Sequence, residues 1–139
     1  MAFTAFAKFS GIDGDSTDSQ HPKWIDVLRF HWAASGIRNP WEGSDRQGRF
    51  EVNDFSIVKE LDKASPFLFQ KCADGEHINE VKVEFVEKLP GKQNWQRKFM
   101  EYRFEDALIT GVSPGGGGAG DRPLEEVSVT FKKMTYKQG

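Results

Sequence analysis

One cysteine in 139 residues is the sharpest scarcity in this sequence. Standing alone, Cys72 can form no intrachain disulfide and seed no cysteine-based zinc cluster, so a small apolar group packed into a core is its simplest role. Histidine is scarce too. His21, His31 and His77 fall in a loop, a strand and a segment behind a helix, without metal-ligand spacing, so no metal or other cofactor is expected. The sequence has no G-x-S-x-G elbow, no thiol and imidazole motif and no H-E-x-x-H helix, and so no catalytic residue is assigned. A net excess of charge is also missing. The 19 basic and 21 acidic residues leave a net charge of -2, which offers no general attraction to nucleic acid or to an anionic membrane. No apolar run approaches transmembrane length, and the first residues, MAFTAFAKFSG, lack a basic region followed by a sustained apolar core. The expectation is a chain that is cytosolic, or that leaves the cell by a route needing no cleaved signal. With 37% hydrophobic and 29% charged residues, its length suits one soluble domain over residues 1–139.

What is present is mostly β-pattern. Residues 3–9, FTAFAKF, suit a first strand, and residues 10–23 read as a loop whose Asp13, Asp15 and Asp18 miss the spacing of a calcium loop. Residues 24–32, WIDVLRFHW, alternate, with Leu28, Phe30 and Trp32 on one face and Arg29 and His31 on the other. A loop is expected over residues 33–49, longer than ordinary connections, with Trp41 beside Pro40 as either an interface anchor or a residue folded back onto its own domain. Residues 50–60 suggest another strand, with Phe55 and Ile57 on one face and Val52 and Val58 on the other. Val81, Val83 and Phe85 alternate within residues 80–88, before a turn at Pro90 and Gly91. Met100, Tyr102, Phe104 and Leu108 share a face within residues 97–109, with a slip in the alternation at Asp106 and Ala107. Val127, Val129 and Phe131 mark a last strand.

The one predicted helix runs from about Pro66 to Asp74. Ser65 is expected as N-cap, Pro66 at N1 and Gly75 as the left-handed closing residue. Leu68, Phe69, Cys72 and Ala73 then face a sheet. The glycine-rich segment 111–123, GVSPGGGGAGDRP, satisfies G-x-G-x-x-G with Gly115, Gly117 and Gly120. That motif cradles phosphate only where a helix N-terminus follows, and here Pro123 leads into a strand, so nucleotide binding is not expected. The residues alone point to a mainly β barrel or sandwich with one short flanking helix, more scaffold than enzyme.

Several stretches together, WIDVLRFHW, then LDKASPFLF with CADGEHI, then VSPGG followed by RPLEEVSVTF, resemble the Hcp (haemolysin-coregulated protein) family, the tube subunit of bacterial type VI secretion systems. The resemblance implies a two-sheet β-barrel with one flanking α-helix, six subunits closed into a ring, and rings stacked into a hollow tube. It further implies a spike protein at the tube tip, a sheath around it, effector proteins in the lumen, and secretion from the cytoplasm without a cleaved signal peptide. By the same resemblance the 33–49 loop makes the axial, ring-stacking contacts. Ile37, Arg38, Trp41 and Glu42 make it bulkier and more charged than the glycine and serine common in that family. Arg29 and His31, opposite the core face of their strand, are then expected to line the lumen. The alternatives are a phage tail-tube-like protein, marked by co-purification with virion parts, a monomeric ligand-binding β-barrel, marked by oligomeric mass, and a hydrolase with dispersed catalytic residues, marked by an activity lost on mutating His31 and His77.

Overall fold

The computed structural model describes residues 3–37, 49–88, 96–116 and 122–139. Its strands are β1 (Phe3–Phe9), β2 (Ile25–Val27), β3 (Arg29–His31), β4 (Ala34–Ile37), β5 (Arg49–Val52), β6 (Phe55–Glu60), β7 (His77–Lys88), β8 (Gln96–Gly115) and β9 (Leu124–Gln138), with helix α1 (Ser65–Asp74) between β6 and β7. A seven-stranded antiparallel sheet runs in the order β2-β1-β7-β8-β9-β6-β3. Its two end strands are consecutive pieces of one stretch. β2 pairs with β1 while β3 pairs with β6, and the Leu28 amide between them donates to the Val58 carbonyl at 2.8 Å. The sheet therefore nearly closes into a barrel at Leu28, which leaves little edge open to unwanted pairing.

That closure changes the reading of residues 24–32. One uninterrupted strand would put Leu28 in the core, but the bend there leaves Leu28 53% exposed. Ile25 and Val27 point inward before the bend, and Phe30 and Trp32 pack inward after it, so the inward parity switches at the corner. The next expected strand is also subdivided. Residues 50–60 break at Asn53 and Asp54 into β5 and β6, and within the expected 33–49 loop Ala34–Ile37 and Arg49 are strand. β4 and β5 pair as a separate two-stranded arm, with Ala34 opposite Val52 and Ile37 opposite Arg49.

Elsewhere the period of two holds and builds the core. Ala5, Ala7 and Phe9 of β1 meet Val81, Val83 and Phe85 of β7, with Ala5 opposite Phe85 and Ala7 opposite Val83. β8 supplies Tyr102 and Phe104, then slips where its alternation falters. Asp106 takes a left-handed φ of 52°, and beyond it Ala107 and Ile109 are buried while Leu108 is only half-buried, so Leu108 leaves the core face expected of it. Gly111–Gly115 continues β8 rather than forming a loop, its Gly115 lying opposite Leu124. Gly117, Gly120, Pro90 and Gly91 lie outside the described residues.

The helix begins one residue earlier than expected, and Ser65 is not its cap. Ala64 occupies the cap position in a right-handed helical conformation with no side-chain cap bond, and Pro66 sits in the first turn as expected. Asp62 provides the capping function instead, its Oδ1 accepting the Ala64 amide at 3.0 Å. Gly75 closes the helix at φ 65°, its amide donating to the Cys72 carbonyl at 3.3 Å. The buried stripe is narrower than expected. Ala64 and Leu68 are buried and Cys72 packs against the core from a half-buried position, but Phe69 and Ala73 face outward.

Candidate assembly surfaces

β3 is only three residues long, and its pairing with β6 sets its faces: Arg29 lies opposite Val58, Phe30 opposite Ile57 and His31 opposite Ser56. Phe30 packs edge-on to Phe85 at 4.8 Å between ring centres. Arg29 and His31 consequently share the outward, exposed face. Of the four residues expected in the stacking loop, Ile37 belongs to β4, and Arg38, Trp41 and Glu42 lie outside the described residues. The arm that carries Ile37 springs from Trp32, whose ring packs edge-on against Tyr102 at 5.8 Å. It is tied back where the Asn53 amide donates to the Ala33 carbonyl at 2.7 Å. Its side of the barrel also carries Tyr136, stacked on Tyr102 at 5.1 Å yet 59% exposed.

Large apolar side chains are exposed at several separate places: Phe3, Leu28, Phe67, Phe69, Leu124 and Tyr136. Phe67 and Phe69 flank the buried Leu68 on α1, so the helix presents two aromatic rings away from its own sheet. At one end of the barrel Phe3, Phe30, Phe85, Phe99, Met100 and Tyr102 line an apolar cup of about 220 Å³.

Two clusters of buried charge were not visible as sites in the sequence. Lys59 is fully buried, with its Nζ 2.8 Å from Asp62 Oδ1 and 2.7 Å from Glu125 Oε1, and it donates to Ser65 Oγ at 3.1 Å and to the Glu60 carbonyl at 3.1 Å. Ser65 thus serves β6 and β9 instead of the helix end: its hydroxyl accepts the Asp62 amide at 3.0 Å and donates to Glu125 at 3.0 Å. The signal for this cluster was parity. Lys59 follows Phe55 and Ile57, and Glu125 precedes Val127 and Val129, at the inward positions of their strands. The second cluster is His21, 2% exposed, between Asp18 and Glu84. Asp18 therefore serves a histidine, while Asp13 pairs with Lys8 at 2.9 Å and Asp15 accepts the Lys63 amide at 3.4 Å. His77 is in β7, exposed, 2.7 Å from Asp106. Among the described residues no three of these side-chain types converge as a metal site, and no helix is long and apolar enough to cross a membrane.

These features define a small, nearly closed antiparallel β-barrel with one flanking helix, a projecting arm and exposed aromatic patches. The profile of the family described as type VI secretion system effector, Hcp, matches residues 6–138. Protein Hcp1 of Pseudomonas aeruginosa is 31% identical over 135 residues, which cover 96% of this chain and 82% of that protein. The crystal structure of Hcp1 from Salmonella typhimurium superposes with a TM-score of 0.81 at 28% identity, covering 99% of this chain and 88% of the other. A type VI secretion system effector from Yersinia pestis superposes with a TM-score of 0.74 at 33% identity, covering 95% and 86%. The chain belongs to the Hcp family of type VI secretion proteins.

Proposed function

We propose that this chain is a non-catalytic tube subunit, one domain per subunit, that closes into hexameric rings whose stacks form a secreted tube. The observation that carries the reading is a core filled by side chains such as Phe9, Phe55 and Phe104 beneath an exterior that leaves Phe67, Phe69 and Tyr136 exposed. The interior is packed; the apolar surface left over is on the outside, where partners cover it. A ring that also stacks needs two kinds of contact, lateral and axial, and the projecting arm with Ile37, Arg38, Trp41 and Glu42 is assigned the axial one. Arg29 and His31 are assigned to the lumen, where effectors travel. The spike caps the stack, the sheath surrounds it, and the subunit waits in the cytoplasm until firing, then leaves without a cleaved signal peptide. Electron micrographs of the purified protein and its native mass test the assembly: hollow six-subunit rings are expected, and a concentration-independent monomer overturns it. His31→Cys in a Cys72→Ser background tests the lumen. In assembled rings a small maleimide is expected to react and one wider than the pore to be excluded, whereas equal access refutes the assignment.

The apolar cup favours one second reading, a monomeric ligand-binding barrel. About 220 Å³ exceeds the roughly 150 Å³ that admits benzene to an engineered apolar cavity. A monomer that binds benzene-sized apolar probes at the cup would support that reading over the tube.

A further inference from the structure

We infer that His21 is a proton-operated latch that holds the 10–24 loop against the outer face of the barrel, closed while the imidazole carries two N–H groups and loosened when it loses one. The geometry demands both protons. His21 Nδ1 lies 2.8 Å from Asp18 Oδ2 and Nε2 lies 2.8 Å from Glu84 Oε1. Ionised carboxylates only accept, and a neutral imidazole has one donor, so only the imidazolium satisfies both contacts. Deprotonation leaves a ring lone pair facing a carboxylate lone pair inside a site that is nearly closed to water.

The latch sits on a row that the sheet register builds. Asp26 of β2 lies opposite Phe6 of β1, Phe6 opposite Glu84 of β7, Glu84 opposite Glu101 of β8, and Glu101 opposite Lys137 of β9. His21 stacks flat on Phe6 at 4.2 Å and meets Trp24 edge-on at 4.9 Å. The charged groups around it are Asp18 of its own loop, Asp26, Glu84, Glu101, and the cations Lys98 and Arg103 of β8. Lys98 lies 3.8 Å from Glu84 and 3.1 Å from Glu101, and Arg103 lies 3.6 Å from Glu101. Gln96 adds a neutral donor to Asp18. Burial opposes the charge on His21, but hydrogen bonds to Glu84 and Asp18 outweigh it and raise its proton affinity. Hydrogen bonding to His21 holds Glu84 low, and Asp18 is also low because His21 and Gln96 outweigh its burial. The loop itself is tightly folded. The Gly14 amide donates to the Lys23 carbonyl at 2.7 Å and the Ser16 amide to the Trp24 carbonyl at 2.9 Å, and a Cβ at Gly14 would sit 2.5 Å from the Trp24 carbonyl oxygen. These bonds join the two halves of the loop on either side of His21, so they open when its ring is released.

The test is an NMR titration of the full chain with hydrogen exchange read in parallel. The His21 ring is expected to titrate with a midpoint above the ordinary histidine value of about 6.5. After correction for intrinsic exchange, the opening constant of the Gly14 and Ser16 amides is expected to rise about tenfold per pH unit from that value up to the midpoint, then level off. Amides in the middle of β7 and β8 stay far better protected than the loop amides across the range. Glu84→Gln supplies an amide N–H that can face the neutral ring, so it should flatten the response while the barrel persists. His21→Gln should leave the loop amides exchanging faster than the parent's below the midpoint, without a histidine-like step. A His21 midpoint at or below 6.5, or loop exchange that ignores it, overturns the latch.

Discussion

The protein buries a cation between two carboxylates in two places, and the two places are built differently. Lys59 lies on the inward face of β6, fully buried, with four oxygens within 3.1 Å of its Nζ, drawn from the β6 end, the helix start and β9. His21 lies outside the sheet, beneath a loop, with one carboxylate on each ring nitrogen. The ammonium joins three elements of the barrel itself, whereas the imidazolium fastens a cover onto it. Histidine is also the side chain whose ordinary charge change falls in the neutral range. The inner cluster is thus a fixture of the fold, and the outer one can be undone while the fold stands.

Breaking the inner cluster should have the largest effect. Lys59→Met leaves Asp62 and Glu125 facing each other without a cation and is expected to cost about 3–5 kcal/mol in denaturant unfolding. Adding Glu125→Leu to it should recover much of that loss, because paired removal takes the uncompensated charge away as well. A Lys59→Met protein within about 0.5 kcal/mol of the parent, the range of an ordinary surface change, would show that the cluster fastens nothing. Leu68→Ala comes next. Leu68 is fully buried where α1 meets the sheet, and the cavity left behind should cost about 3 kcal/mol.

How much of this was legible follows from where each residue sits relative to a period. Strand parity located Val81, Val83, Phe85, Val127 and Val129, and it flagged the slip at Asp106, because a two-residue period is set by the backbone itself. Parity failed where the chain turns a corner. Leu28 keeps the rhythm of its neighbours, but barrel closure requires a bend there, and nothing local announces with which strands β2 and β3 pair. Lys59 and Glu125 were on the inward parity all along; their charge argued against burial, and only their meeting across β6 and β9 resolves that conflict. Ser65 was misread for a related reason. A hydroxyl before a helical proline ordinarily caps, and here a buried lysine competes for it. His21 lay beyond reach, since a loop has no period and the partner Glu84 is 63 residues away.

The outer cluster should show itself through pH and by a smaller amount. His21→Gln is expected to cost about 1–3 kcal/mol near neutrality, the range for disturbing a buried hydrogen-bonded group. The sign of its pH dependence is set by the raised proton affinity of His21. The stabilisation is fully present below the unfolded histidine value of about 6.5 and is lost as pH rises through the folded one, so parent and variant should converge in alkali. Glu84 and Asp18 act in the opposite direction. Their affinities are lowered, so what they contribute is present above the ordinary carboxylate range and is lost as pH falls through their folded values. The outer cluster is therefore expected to fail in acid, where Glu84 and Asp18 are protonated, and to weaken on the alkaline side as His21 loses its proton. Urea midpoints for the parent, Lys59→Met and His21→Gln across pH check this directly. An alkaline loss that persists undiminished in His21→Gln would place its source elsewhere.

The smallest expected effect on the isolated subunit belongs to Phe69, and it extends the inside-and-outside comparison to the helix. Leu68 and Phe69 are adjacent on α1, one fully buried and the other 63% exposed. Phe69→Ala should therefore change subunit stability by no more than about 0.5 kcal/mol, the range for surface substitutions, while Leu68→Ala costs several times that. Alanine also favours a helix interior slightly more than phenylalanine does, which leaves no local reason for a loss. An aromatic ring held in water gains stabilisation only when another molecule covers it. Assembled particles of the Phe69→Ala protein should then dissociate at a higher protein concentration than the parent's, with unfolding of the dissociated subunit unchanged. If instead the two unfold differently as subunits, the ring is packed against its own chain, and the helix has no exposed aromatic face to offer.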